Sequence, residues 1–267
     1  MIKDITLGQY FPGNSIVHRL DPRFKIIITT IYIAMLFISS GLLGLFVGGV
    51  FAFGALILSK IPFKLILKSL KPLIPILLFT SVFNLLFIDG GDVYIKWAFI
   101  KITEDGVKMT VYMTIRIIFL IIGSSLLTYT TSPIALTDAI EYLLSPLKKL
   151  KMPVHEFAMM MTIALRFIPT LIEETDKIMS AQKARGADFE SGKITQRVKA
   201  LIPILIPLFV SAFRRAEDLA LAMTCRCYHG GEGRTRLKQL KSGAKDYMAT
   251  AITLVFLSGI IILNILI

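Results

Sequence analysis

Cysteine is nearly absent from this chain of 267 residues: only Cys225 and Cys227 occur, one residue apart. That spacing suits neither a zinc knuckle nor a disulfide framework, and a reduced cytosolic setting fits it. Histidine is as scarce, with His18, His155 and His229 far apart. Cys225, Cys227 and His229 fall within five residues, too tight a set to close easily around a metal, so no metal site is expected. Neither HExxH nor GxSxG occurs. Ser191-Gly192-Lys193 resembles the end of a phosphate loop, but Ala187 stands where the earlier glycine belongs and Ile194 where Ser or Thr must follow the lysine. No catalytic residue, enzyme activity or resident cofactor is therefore expected.

Charge is also sparse. At 18% charged and 55% hydrophobic residues, the chain has too little polar side chain to cover a soluble domain of its length, and a polytopic membrane protein is expected. The net charge of +12 is explained by retention of lysine and arginine on the cytoplasmic side of a membrane, without nucleic acid as a partner. No signal peptide is expected, because the first apolar run begins near Ile26 after a polar stretch holding Pro12, Asn14 and Asp21.

The apolar run from Ile26 to Leu58 is too long for one span and reads as a helical hairpin, roughly 24–40 and 43–59, turning at Ser39-Ser40-Gly41. Lys60, Lys64, Lys68 and Lys71 follow at helical spacing among apolar residues, the pattern of an amphipathic segment on the inner membrane surface. Pro72 to Ile88 reads as a third span, and Val93 to Asp105 as a short β-ribbon centred on Trp97. A fourth span runs from about Val107 to Thr130 and a fifth from about Tyr247 to Ile267. The 89–108 loop is net −1, the 60–71 loop +4 and the block 131–246 +6, which places that block and the N-terminus in the cytoplasm. Arg116 sits near the middle of the fourth span, where a charge needs protein around it; Asn84 or a backbone carbonyl is its expected partner.

Within the block, Ser132-Pro133 should start a helix, serine as N-cap and proline in the first turn. Two long helices then repeat one design. An apolar half carrying Pro169 leads through Glu173, Glu174, Asp176 and Lys177 to Ala184-Arg185-Gly186. A second apolar half carrying Pro203 and Pro207 leads through Arg214-Arg-Ala-Glu-Asp218 to Cys225-Arg226-Cys227. Arg185 falls on Arg226 at an offset of 41. Because Arg166 and the prolines interrupt the apolar halves, they are expected to pack at the inner membrane face; two further spans are the alternative. A guanidinium between small residues suits a docking tip, with five donors in a planar fork and room for a partner's backbone. A single such arginine is equally explained by the helix macrodipole; two at matching positions favour docking.

Several motifs carry a resemblance over nearly the whole chain: Gly8-Gln-Tyr10, Ser15, His18, Leu20-Asp-Pro-Arg23-Phe-Lys25, Thr130-Thr-Ser-Pro133, Pro146, Leu165-Arg-Phe-Ile-Pro169, Ala181-Gln-Lys-Ala-Arg-Gly186 and the second arginine motif Cys225-Arg226-Cys227. They resemble the transmembrane coupling subunit, or T component, of energy-coupling factor transporters. The resemblance implies a non-catalytic scaffold in an ATP-driven importer of a vitamin or metal ion, set in the cell membrane. Its partners would be two cytosolic ABC-type ATPase subunits, which bind the ATP, and a substrate-binding membrane protein, the S component. It implies two long coupling helices that cross, with Arg185 and Arg226 contacting the ATPases. Met159, Met160, Met161 and Met179 suit a re-packable surface for the S component, ordinary core packing being the alternative.

The expected architecture is thus all-α: a segment 1–24, a membrane domain 25–131 with about four spans, a coupling domain 132–246 of two long crossing helices, and a last span 247–267. Two other readings stand beside it. A conventional ABC importer permease would dock through one short loop, whereas this chain has two docking ends. A membrane enzyme acting on an anionic lipid would need Glu173, Glu174 and Asp176 to hold a metal, and their spacing reads better as a solvated helix face.

Overall fold

The computed structural model describes residues 9–97, 100–187, 189, 194–230 and 240–266; Gly8 and Ser191-Gly192-Lys193, singled out above, lie outside them. The described chain is helical apart from one ribbon. In order it runs through α1 (Ile16–Arg19), α2 (Pro22–Ile38), α3 (Leu42–Ser59), α4 (Phe63–Leu70) and α5 (Ile74–Phe87), then β1 (Val93–Trp97) and β2 (Ile100–Thr103). There follow α6 (Glu104–Thr130), α7 (Pro133–Leu143), α8 (Val154–Ala184), α9 (Ile194–Cys225) and α10 (Ala244–Leu266). The strands pair antiparallel, Val93 opposite Thr103, forming the ribbon expected near Trp97. By contacts the chain divides into two compact units, one of residues 8–139 and 240–267 and the other built on 140–239.

Local chemistry accounts for the helix starts. Asp21 caps α2, its side chain accepting from Arg23 N, with Pro22 in the first turn. Thr103 caps α6 in the same way, accepting from Gly106 N, and Glu104 and Asp105 complement the helix dipole. Ser132 caps α7 as expected, accepting from Ala135 N at 3.3 Å, with Pro133 first in the helix. α7 ends at Leu143, and a 3-10 segment follows at Ser145–Leu150.

The core of the first unit lies between α2, α3, α6 and α10. Tyr32, Met35 and Leu36 of α2 pack with Leu45 and Leu56 of α3, Ile122 and Leu126 of α6, and Ile260 of α10. Close approach is made possible by glycine: a Cβ at Gly123 would run into the Tyr32 ring, whose hydroxyl donates to Phe119 O at 3.0 Å. The lysine-rich segment is amphipathic as expected, burying Ile61 and Ile66 while Lys64, Lys68 and Lys71 stay exposed. It continues through one 3-10 turn at Lys71–Leu73 directly into α5.

Among the described residues, five helical runs are long and apolar enough to cross a membrane: Leu42–Ser59, Phe63–Phe87, Glu104–Thr130, Val154–Ala184 and Ala244–Leu266. The number matches the expectation but the membership does not. α2, covering the expected span 24–40, has 17 residues and a rise of about 25 Å, the short end of what spans a bilayer. α8 joins the set, because Pro169 does not interrupt it. Pro203 and Pro207 likewise lie inside an unbroken α9. Proline removes one helical hydrogen bond but holds φ near its helical value, so neighbouring turns carry the helix past it.

Both ends of α2 are held by polar side chains. At the first end, Arg23 forms an ion pair with Asp21 at 2.6 Å and also donates to Leu240 O at 3.1 Å. Asp246 Oδ1 accepts from Asp21 N at 2.8 Å, and Lys25 Nζ donates to His18 O at 3.0 Å and Thr130 O at 2.9 Å. Burial pushes the Asp21 carboxyl up, but the Arg23 hydrogen bonds and charge outweigh it and hold it below the usual carboxylate range. The stability Asp21 contributes is therefore present above the unfolded carboxylate pKa and lost as pH falls through the folded one.

At the other end, Arg116 Nη2 donates to Ser39 O at 2.8 Å, and Tyr112 Oη donates to the same carbonyl. The guanidinium lies over the Tyr112 ring, 4.5 Å from its centroid. Asn264 Nδ2 of α10 donates to Ile38 O at 2.6 Å, and its Oδ1 accepts from the Ser40 hydroxyl at 2.9 Å. The expected backbone partner of Arg116 is thus found, whereas Asn84 is not among its partners: Asn84 lies on α5, and Arg116 points to the end of α2. Replacing Arg116 with Met should lower stability by about 2 kcal/mol, the loss of a charged hydrogen bond to a sheltered carbonyl. Arg116→Lys should recover part of it; unfolding midpoints in detergent measure both, and unchanged midpoints would show that the contact contributes nothing.

Candidate docking site

α8 and α9 end in the same way, and the match is atomic. At the end of α8, Gly186 N donates to Lys183 O at 3.0 Å and Ala187 N to Gln182 O at 3.0 Å, while Gly186 takes φ +86°. At the end of α9, Cys227 N donates to Thr224 O at 2.9 Å and Tyr228 N to Met223 O at 3.1 Å, with Cys227 at φ 55°. These paired bonds, closed by one left-handed residue, form the Schellman motif that satisfies the last carbonyls of a helix. Arg185 and Arg226 occupy the same place in each, the last residue before the left-handed one.

Because the cap uses backbone N–H groups, the arginine side chains are left over. Both are exposed, and neither has a side-chain hydrogen bond or ion pair among the described residues. Ala184 and Cys225, just before them, are exposed as well, as are Gly186 and Cys227 just after. Each guanidinium thus stands free between small neighbours, at a helix end whose backbone is already satisfied.

The two helices are joined by an ion pair, Arg215 Nη2 to Glu174 Oε2 at 2.9 Å. Its partners stand 41 apart, the offset of the two arginines, so the contact joins equivalent points of the repeat. Arg185 stands eleven positions beyond Glu174 and Arg226 eleven beyond Arg215, about 16 Å of helix on each arm. Glu174 is thereby engaged in a contact between the two helices.

Of the methionines singled out in the sequence, Met160 and Met161 are exposed, at 56% and 43%, and Met159 and Met179 are half-buried. The structure brings Met159, Met160 and Met161 onto the first half of α8 and leaves Met179 near its tip. The apolar half expected in the second helix forms a longer surface, whose residues the sequence reading did not single out. Ile202, Ile206, Phe209 and Phe213 recur along α9 every three or four residues and are all exposed. The spacing is that of one face of a helix. An uncovered apolar stripe of this length marks a surface that meets lipid or protein.

The left-handed residue differs between the two caps, glycine in one and cysteine in the other. A side chain there costs about 1 kcal/mol, so Cys227→Gly should stabilise the end of α9 and Gly186→Ala destabilise the end of α8 by about that much. Hydrogen exchange at Ala187 N and Tyr228 N reads each cap separately; equal protection in both variants and the parent would refute the assignment.

The chain is similar to known proteins over almost its whole length. The family model described as "Cobalt transport protein" (CbiQ) matches residues 13–237. An energy-coupling factor transporter transmembrane protein EcfT of Ruminiclostridium cellulolyticum is 54% identical over 264 residues, 99% of this chain and 98% of that protein. The protein of the same description from Bacillus subtilis is 47% identical, covering 98% of each chain, and that of Lactococcus lactis subsp. cremoris 45% identical, covering 92% of each. With the helices described above, these relatives make the chain an all-α, multi-pass membrane protein, and it belongs to the CbiQ family as an energy-coupling factor transporter transmembrane protein.

Proposed function

We propose that this chain is the non-catalytic coupling scaffold of an ATP-driven importer, transmitting conformational change in ATPase subunits to a substrate-binding membrane protein. The observation that carries the reading is the pair of identically capped helix ends, each presenting a free arginine between small residues. A guanidinium so placed can enter a groove and meet carboxylates or helix-end carbonyls there. Two such ends, on arms of equal length, suit two ATPase subunits related by approximate two-fold symmetry. A permease that docks through one loop has no use for the second. The unequal residues flanking Arg226 and Arg185, Cys-Arg-Cys and Ala-Arg-Gly, favour two different ATPases over two identical ones.

In this reading residues 132–246 form the coupling domain and face the cytoplasm with the 60–71 lysines, while the helices of 25–131 and 247–267 anchor it in the cell membrane. The exposed stripe of α9 and the methionines of α8 receive the S component. ATP is bound by the ATPase partners, and this chain needs no cofactor of its own. The cargo, a vitamin or a metal ion, is selected by the S component, and nothing in the tips of α8 and α9 reads as a pocket for it.

Co-purification tests this directly. The double variant Arg185→Ala/Arg226→Ala should lose the ATPases, or retain them with hydrolysis uncoupled from uptake, while the membrane unit unfolds at the parent temperature. Each single variant should weaken binding by about tenfold or more, the loss of a charge-assisted contact in a sheltered groove. Retention of the ATPases with undiminished transport in the double variant would reduce both arginines to helix ends.

A further inference from the structure

The unit formed by residues 8–139 and 240–267 contains a cleft of about 640 Å³ bounded by α1, α2, α3, α6 and α10. Its wall is apolar, formed by residues such as Ile28, Tyr32, Phe51, Leu126 and Phe256. Val50 and Leu58 of α3 and Met248 and Ile252 of α10 line it yet are exposed, so the cleft opens sideways toward hydrocarbon. At the end marked by the start of α2 and the start of α10, it adjoins a polar hollow of about 390 Å³ that shares Ile16, Leu20 and Lys245 with it.

That hollow is positively charged. Arg19, Lys241 and Lys245 line it, all exposed and without a partner among the described residues. Two carboxylates lie nearby: Asp21 is paired with Arg23, and Asp246, which lines the hollow, accepts from Asp21 N and Gly243 N, so the three cations outnumber the one carboxylate in the lining. Inside the cleft, Lys25 is only 5% exposed. Its ammonium uses two of three donors on His18 O and Thr130 O, so one donor remains for an acceptor in the cleft it lines. An apolar slot open to the bilayer, with a basic mouth and a buried ammonium at its polar end, matches one kind of molecule in both halves.

We infer that this cleft is a binding site for an anionic phospholipid, with an acyl chain between α3 and α10 and the phosphate held by Arg19, Lys25, Lys241 and Lys245. Basic pockets between membrane helices on the cytoplasmic side hold anionic head groups in this way, and under the orientation proposed above the lipid comes from the inner leaflet.

Native mass spectrometry of the delipidated full-length chain in neutral detergent tests the assignment, with dioleoyl phosphatidylglycerol and dioleoyl phosphatidylcholine as probes. One phosphatidylglycerol should be retained at least tenfold more tightly than phosphatidylcholine. Substituting Arg19, Lys241 and Lys245 with Ala, singly and together, should weaken it roughly fivefold per charge removed. Gly54→Phe places a ring where a Cβ meets nothing within 4 Å and should expel both lipids by filling the cleft. Leu58→Trp makes the same test from an exposed rim position should Gly54→Phe not fold. Equal retention of the two lipids, or lipid binding indifferent to the cleft-filling variants, would overturn the proposal. So would displacement of phosphatidylglycerol by millimolar glycerol phosphate, which would make the mouth a site for free anions.

Discussion

A helix must place its last carbonyl oxygens, and α2 does so with side chains from its neighbours. It has 17 residues, and the chain leaves it through Ser39-Ser40-Gly41, where Ser39 is buried. Its end is sealed from outside, by Arg116 and Tyr112 on Ser39 O and by Asn264 on Ile38 O. Arg116 thus has a local reason to sit amid an apolar helix: it is drawn to the negative end of α2. The other end is tied as firmly, with Asp21, Arg23 and Asp246 joining the starts of α2 and α10, and Lys25 reaching the last carbonyl of α6. The core residues of α2, α3, α6 and α10 can interdigitate because these polar ties fix the register between helices.

The other unit solves the problem of helix ends differently. α8 and α9 satisfy their last carbonyls with their own next residues and leave the terminal arginines free. The contrast has a chemical consequence: a side chain spent on capping is not available for another contact. In the membrane unit Arg23 and Arg116 are consumed by structure, whereas at the tips backbone does the capping and Arg185 and Arg226 are spared.

Much of this was legible in the sequence. Hydrophobic runs, capping residues and the proline-bearing starts placed the helices within a few residues, and the ribbon at Val93–Thr103 followed from a β-prone stretch of β-branched and aromatic residues between spans. The 41-residue repeat exposed Arg185 and Arg226 because periodicity survives in sequence. What did not survive was conformation. Nothing in Cys225-Arg226-Cys227 announces that Cys227 takes the left-handed role of Gly186, since cysteine is an unusual choice there. Nor could Arg116 be assigned to Ser39 in preference to Asn84, because that choice depends on where α2 stops relative to α6. Proline misled for a related reason: Pro169, Pro203 and Pro207 look like breaks, yet a missing N–H in mid-helix is tolerated when packing holds the helix on both sides.

The Glu174–Arg215 contact has a mechanical side. If the helix pair turns about that point, it behaves as a lever with equal arms, each about 16 Å long. A rotation of ten degrees would carry each arginine through about 3 Å, and through the same distance on both sides. Stiffness follows as well, because a straight helix three turns long bends little, so displacement imposed at a tip reaches the fulcrum almost undiminished. Equal arms give the two tips strokes of the same size.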